Sequence, residues 1–264
     1  MYIRKTWKAG RTVEVKKTFS ARYGKKIPRG NNIGHTSEAQ ERVNYKKAVD
    51  ELRRLLNANF KPGDWHAVFT YPNAKPPTPM QAKRDKERFT RKLREMYPKL
   101  GVELKYVQSV EYKHKRIHHH MVIPNLPGGM EPVKRLWKQL IAETYYTPKE
   151  QERGEPLHLR FPWSPLDDSG QYGELAEYLI KETSKSYKDP DALCKRRYSA
   201  SRNLIHPKPE VEVIDAKTWR KEAAQRKGYY IDKNASFDGV SEETGLPMQE
   251  TIYVAIAPMP RMRC

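Results

Sequence analysis

The chain has 264 residues, of which 51 are Lys or Arg and 32 are Asp or Glu, so its formal net charge is +19. A mean hydropathy of −0.92 argues against an enzyme built around a large apolar pocket, although a hydrophobic content of 37% suffices for a packed core. No apolar run reaches the roughly 18–20 residues of a membrane span, and residues 1–30 lack the apolar core of a secretory signal. The two cysteines, Cys194 and Cys264, exclude a disulfide framework, and we expect a cytoplasmic protein without a membrane partner.

The basic residues are concentrated in two places. Residues 1–30 hold ten Lys or Arg and one acid, Glu14, and a second group comprises residues 195–197 with Arg202. This distribution predicts a polyanionic partner. Sixteen tyrosines and five tryptophans favour a nucleic acid, because bases stack on aromatic rings. A basic, solvated surface without a dedicated partner is the alternative.

The first half of the chain predicts alternating basic, helical and strand segments. Residues 1–36 are expected to be an extended basic arm, and apolar residues at helical spacing predict a helix over 38–57. His66–Tyr71 is typical of a buried strand. A proline-rich loop then leads to a basic helix over 80–97.

The second half begins with a predicted hairpin, formed by Leu104–Tyr112 and Arg116–Ile123 across a short turn. A helix over 132–146, a strand within Leu157–Leu166 and a helix over 172–186 follow. The order of elements predicts an α+β fold, with a central antiparallel sheet flanked by helices.

Two more strands, Tyr229–Ile231 and Thr251–Ile256, are expected near the end of the chain. We therefore predict three segments: a basic arm and N-terminal helix over 1–60, a central domain over 61–205 and a C-terminal extension over 206–264.

Three consecutive histidines lie in the predicted strand 116–123. Alternate residues of a strand share a face at a rise of about 3.4 Å per residue, so His118 and His120 would point the same way and His119 the opposite way. Glu111, on the preceding strand, could complete a cluster of two imidazoles and one carboxylate that leaves coordination positions open. Such a donor set beside a phosphate substrate favours Mn²⁺ or Mg²⁺, with Zn²⁺ as the alternative.

Other assignments of this cluster remain open. His114 and Gln108 are rival third ligands, and a His-x-His pair is also common as ordinary polar residues of a strand. A metallohydrolase acting on something other than nucleic acid would use the same donors, although the charge of +19 argues against it.

The helix predicted over 172–186 carries a second set of chemical groups. Tyr178 and Lys181, spaced i and i+3, share a face with Glu174, which precedes Tyr178 by four residues. We expect the ammonium of Lys181 to lower the pKa of the Tyr178 phenol and so to stabilise the phenolate. A plain amphipathic helix with a solvated lysine is the alternative.

Taken together these motifs resemble the HUH endonuclease superfamily, the rolling-circle replication initiators, and most closely the phage-type ORF2/gene II class. His66–Tyr71 is similar to the first motif of the superfamily, Arg116–Val122 to the second and Glu177–Glu182 to the third. The stretch Arg197–Leu204 is also similar to that class, and the likeness extends over residues 38–205.

The resemblance implies a metal-dependent nickase on an HUH palm. Glu111, His118 and His120 would hold the ion, Tyr178 would attack single-stranded or hairpin origin DNA, and Lys181 would orient the phosphate. The products would be a 5′-phosphotyrosine link and a free 3′-hydroxyl that primes replication of a plasmid, phage or other mobile element.

Several finer expectations also come from the resemblance. No second tyrosine lies four residues from the first, which implies a single-tyrosine enzyme in which Glu174 activates water for the terminating cleavage. DNA contacts are expected from five residues of one stretch: Arg196, Arg197, Ser201, Arg202 and Asn203. No phosphate-binding loop motif is present, so no nucleotide cofactor is expected, and unwinding would come from supercoiling or a host helicase, with a host polymerase as a further partner. A relaxase or transposase, or a non-catalytic DNA- or RNA-binding module on the same fold, is the alternative.

Overall fold

The computed structural model describes residues 1–21, 23–25, 37–72, 75–113, 116–145, 159–184, 196–219, 222–242 and 244–256. Their contacts divide the chain into two compact units. The terminal unit comprises residues 1–59, 169–176 and 205–264, and the central unit comprises residues 60–168 and 177–204. The division into three segments expected from the sequence stays a prediction.

The described residues form strands and α-helices in alternation, as expected for an α+β chain. The strands are β1 (Tyr2–Ala9), β2 (Thr12–Phe19), β3 (Trp65–Phe69), β4 (Val107–Lys113), β5 (Arg116–Ile123), β6 (Ser164–Pro165), β7 (Ser199–Ala200), β8 (Glu210–Ile214), β9 (Tyr229–Ile231), β10 (Phe237–Val240) and β11 (Pro247–Ala255). The α-helices are α1 (Glu38–Asn59), α2 (Pro79–Lys99), α3 (Glu131–Tyr145) and α4 (Gly173–Ser184). None of the helices in the described ranges is long and apolar enough to cross a bilayer.

The terminal unit is built on a six-stranded antiparallel sheet in the order β10-β11-β2-β1-β8, with β9 also paired to β11. The expectation of an extended arm is therefore wrong for residues 2–19, which form the β1–β2 hairpin. Buried Ile3, Trp7 and Ala9 recur on one face of β1, and this period of two is typical of a strand. The turn requires glycine, because Gly10 has a φ of 56° and a Cβ there would lie 2.0 Å from the Asn57 carbonyl oxygen.

Helix α1 is joined to this sheet by buried charges. The Arg54 guanidinium donates to both carboxylate oxygens of Glu14, at 2.7 and 2.5 Å. Arg53 donates to Glu14 at 2.9 Å and to Glu250 at 3.4 Å. Burial and the neighbouring Glu250 raise the pKa of Asp50 to about 6. Part of the positive charge at this end of the chain is thus neutralised inside the fold.

The central unit contains a five-stranded antiparallel sheet in the order β6-β3-β5-β4-β7. The predicted hairpin is confirmed as β4–β5, in which Glu111 lies opposite His118 and Ser109 opposite His120. Strand β3 pairs with the other edge of β5 and sets Val68 opposite His120. Because directly opposite residues share a face, one face of this sheet carries Glu111, His118, His120 and His66, and we call it the histidine face.

Helices α2 and α3 cover the other face of the central sheet. Phe69 contacts Phe89 and Trp137 at ring-centroid distances of 4.7 and 5.3 Å, and all three are almost fully buried. His119 lies in this core, 5.9 Å from the Trp137 ring, and its Nε2 is 3.0 Å from the Tyr71 hydroxyl. The predicted opposite orientation of His119 relative to its neighbours is confirmed.

The predicted strand within Leu157–Leu166 is reduced, in its described part, to the two residues of β6. Pro162 and Pro165 have no backbone N–H to donate to a ladder, so a longer pairing is not favoured here. Strands β8 and β10 were not expected from the sequence.

Candidate functional site

Four side chains from four elements of the central unit converge on the histidine face. His120 of β5 lies between Glu111 of β4 and His66 of β3: its Nε2 is 2.9 Å from Glu111 Oε2 and its Nδ1 is 3.1 Å from His66 Nε2. The two imidazoles stack at a centroid distance of 5.4 Å with an interplanar angle of 13°. The ring of Tyr178, from α4, stands edge-on to both, 5.6 Å from His120 and 6.1 Å from His66.

His120 is hydrogen-bonded through both ring nitrogens. A carboxylate only accepts, so His120 donates from Nε2 to Glu111. Between His120 Nδ1 and His66 Nε2 one nitrogen donates and the other accepts, according to the tautomers of the two rings. Burial, together with the neighbouring His120, lowers the pKa of His66 to about 4, so His66 is neutral at physiological pH.

Tyr178 is anchored on its helix and open to solvent at its ring. The adjacent Leu179 and Ile180 are buried, while Tyr178 keeps 41% of its surface exposed. The end of α4 is tied down where Arg197 donates to the Ser184 hydroxyl at 2.8 Å. A substrate can therefore reach the phenol from solvent, while the Tyr178 ring remains packed against the imidazoles of His66 and His120.

The pKa of Tyr178 differs from the sequence-based expectation. Partial burial raises the pKa of the phenol, and the carboxylates of Glu111 and Glu182 raise it further. The lowering expected from Lys181 is therefore wrong, because burial and, after it, the two carboxylates determine the direction of the shift. A positive charge placed near Glu111 would favour the phenolate.

The facing donor atoms of Glu111 and His120 are placed so that both could bind one ion. Their facing donor atoms are 2.9 Å apart, and adjacent ligands with bonds of about 2.1 Å are separated by about 3 Å, so the pair fits one ion. His118 is half-buried on the same face, opposite Glu111 in the ladder. In the part of the chain that the structure describes, no three His, Cys, Asp or Glu side chains already surround one point as ligands.

The rival third ligands are placed elsewhere or not described. Gln108 lies opposite Met121 in the ladder, so it belongs to the helix-covered face, where its side chain is 3.5 Å from the Thr90 hydroxyl. His114 lies outside the described residues.

Sequence reasoning missed His66 as a site residue, although it recognised the strand that carries it. An imidazole alternating with Val68 on a buried strand is a usable clue, since a buried imidazole needs a polar partner. The partner itself comes from pairing between β3 and β5, which are far apart in sequence.

The remaining predicted residues have different surroundings. Glu174 and Lys181 are both exposed on α4. Ser201 is buried, and its hydroxyl accepts from the Tyr106 backbone N–H at 3.1 Å, while Asn203 donates to the Leu104 carbonyl at 3.1 Å. These two side chains brace the backbone next to β7.

Arg196 and Arg202, which were also expected to contact DNA, are both exposed. They stay candidates for phosphate contacts.

Residues 64–187 match the model of the family described as replication-associated protein ORF2/gene II protein. The matched segment contains His66, Glu111, His120 and Tyr178, and the resemblance drawn from the motifs is confirmed over it. No curated protein and no solved structure matches the chain.

Proposed function

Residues 64–187 belong to the replication-associated ORF2/gene II protein family, and from this premise we propose that the protein nicks and rejoins single-stranded origin DNA by tyrosine transesterification. In this proposal the five-stranded sheet is the palm of an HUH endonuclease, and the reaction begins and ends rolling-circle replication of a mobile element. The observation that carries the proposal is the solvent-open Tyr178 ring standing 5.6 Å from His120, which is bonded to Glu111.

A divalent cation, Mn²⁺ or Mg²⁺, with Zn²⁺ as the alternative, would be held by Glu111 and His120 with His118 as the third ligand. When bound, the ion supplies positive charge that polarises the scissile phosphate. The fit is supported by the adjacent carboxylate and imidazole donors. No nucleotide cofactor enters the proposal.

The proposed reaction exchanges one phosphate ester bond for another. The Tyr178 hydroxyl loses its proton to solvent water, and its oxygen then attacks the phosphorus and forms the new P–O bond. The bond from phosphorus to the 3′-oxygen breaks, and that oxygen takes up a proton from water and leaves as a hydroxyl. Lys181, three residues further along α4, is proposed to contact a nonbridging phosphate oxygen. Because the ester energy is conserved, the same steps in reverse rejoin the strand.

The scaffold around Tyr178 keeps the reacting groups in place. His66 holds His120 from the side away from Glu111, so the imidazole cannot rotate out of the plane that the carboxylate requires. Exposed Arg196 and Arg202 would contact phosphates of the bound strand, which contributes affinity and salt dependence and not base specificity. Host helicase and polymerase would act on the products.

The test is capture of the covalent intermediate. A randomised single-stranded library carrying a fluorophore at its 3′ end is incubated with Mn²⁺ and the full chain, and the mixture is run on a denaturing protein gel. The proposal expects a fluorescent protein band, because the downstream fragment stays attached through its 5′-phosphate.

The matched controls are two tyrosine variants. Tyr178→Phe should abolish the band, and Tyr230→Phe, which alters an equally exposed tyrosine of the terminal unit, should not. A band that persists in Tyr178→Phe rejects Tyr178 as the nucleophile. DNA binding without a band in the unmodified protein would instead favour a non-catalytic binding module.

A further inference from the structure

Helix α2 presents a strongly basic surface that the proposed cleavage does not use. Seven Lys or Arg side chains of this helix are exposed, against two exposed acids, Glu87 and Glu95. Glu95 is itself paired with Lys92 at 3.0 Å. The exposed side of α2 therefore carries a large net positive charge on one rigid element.

Three of these side chains, Arg84, Arg88 and Arg91, form what we call the arginine stripe. They are spaced i, i+4 and i+7, which places them in a single row along the helix. With a rise of 1.5 Å per residue the row extends over about 10 Å. One strand of B-DNA advances about 3.4 Å along the duplex axis from one phosphate to the next, so the row is about as long as three such steps.

We propose that the arginine stripe is a binding surface for the backbone of double-stranded DNA, separate from the site at Tyr178. The two aromatic residues of α2, Phe89 and Tyr97, are buried, so the helix offers no ring on which an unpaired base could stack. Contacts restricted to charge and regular spacing suit a duplex better than a flexible single strand.

A membrane surface is a poorer occupant. Binding to lipid needs an apolar face that can enter the headgroup region. The apolar side of α2, including Phe89 and Leu93, is packed in the core of the central unit.

The arginine stripe and the site at Tyr178 belong to opposite sides of the central sheet. The helix covers one face of the central sheet, and Glu111, His120 and Tyr178 lie on the other. A duplex held by the stripe and a single strand held at Tyr178 would not compete for the same surface. The protein would thus bind a junction between paired and unpaired DNA.

The test measures binding alone, in EDTA, so it does not depend on the proposed cleavage. A fluorescein-labelled random 30-bp duplex and one of its strands are titrated with the full chain over a series of NaCl concentrations. The triple variant Arg84→Gln, Arg88→Gln, Arg91→Gln should lose duplex affinity by about tenfold or more. The slope of log affinity against log salt concentration should become less steep by about 2.7, which is 0.9 for each lost phosphate contact.

A matched variant separates this surface from total charge. Lys208→Gln, Lys227→Gln, Lys233→Gln removes the same charge from exposed positions of the terminal unit and should change duplex affinity much less. Replacing the three arginines by lysine should retain most of the affinity. If the triple glutamine variant does not fold, each single variant should still lower the slope by about 0.9.

Three results would overturn the proposal. The first is equal loss of duplex binding in the two glutamine triples, which would assign the effect to bulk charge. The second is loss of single-strand binding equal to or larger than the loss of duplex binding. The third is tighter binding of the protein to an RNA duplex of the same sequence than to the DNA duplex.

Discussion

His66 Nε2 lies 3.1 Å from His120 Nδ1, on the side of the imidazole opposite to Glu111. Both nitrogens of His120 are consequently engaged, one by a carboxylate and one by a second histidine. A metal-binding histidine is normally oriented in this way by a partner on its other nitrogen, and losing that partner typically costs about 10–100-fold in metal affinity.

We therefore predict that His66→Phe weakens Mn²⁺ binding by about 10–100-fold while the fold is retained. His66→Gln, whose amide can still bond to His120, should recover part of the loss. Titration followed by electron paramagnetic resonance of free Mn²⁺ measures both. Unchanged affinity in His66→Phe would show that this histidine only packs against its neighbour.

The raised pKa of Tyr178 gives a prediction about pH. Glu182 contributes negative charge that disfavours the phenolate, so Glu182→Gln should lower the pKa of Tyr178. Adduct formation, which requires the phenolate, should then begin at a lower pH than in the unmodified protein. The rate of the gel band's appearance between pH 6 and 10 or so measures the shift. Glu177→Gln, an exposed carboxylate of the same helix, serves as the control and should leave the profile in place.

Glu174 offers a separate test of how the reaction ends. If it activates water, Glu174→Ala should form the covalent adduct at the normal rate and release it more slowly, by about 10²-fold or more. Following decay of the isolated adduct measures this directly. Glu177→Ala is matched in charge and exposure. Equal decay in the two variants would reduce Glu174 to a solvated helix residue.

The two buried histidines predict acid sensitivity of the central unit. Burial lowers the pKa of His119 to about 3 and that of His66 to about 4, so both bind a proton more weakly in the fold than when unfolded. Their neutral forms give full stability above about pH 6.5, and stability falls as the pH drops below that value.

His119→Phe isolates one of these contributions. The ring contact with Trp137 is kept, and the dependence of the unfolding free energy on pH should decrease by about 1.4 kcal/mol per pH unit between roughly pH 4 and 6. Urea unfolding monitored by tryptophan fluorescence in EDTA measures it. His206→Gln, which alters an exposed histidine, should leave the slope unchanged.

Local sequence patterns were sufficient for the part of the site carried by one hairpin. Only two residues of the chain separate β4 from β5, so the register of the pair is closely constrained, and Glu111 and the alternate histidines could be brought to one face from spacing alone. The partnership of His66 with His120 could not be predicted in this way. It depends on the pairing of β3 with β5 across the whole of α2, for which no turn sets the register.

The hairpin at the start of the chain was missed for a related reason. Basic residues interrupt its alternation, and its neighbours β8 and β11 come from the last quarter of the chain. The charge of that hairpin is also less available than its sequence suggests, since Arg4 and Lys8 are paired with Glu212 and Glu210.

The three consecutive histidines of β5 do not by themselves determine the register of the strand. A slip of one residue would exchange the two faces of the strand and still present an imidazole where His120 now stands. What distinguishes the two arrangements is the core side, where His119 fits between Trp137 and the Tyr71 hydroxyl. The packing of the middle histidine thereby fixes the register that places His120, and not His119, beside Glu111.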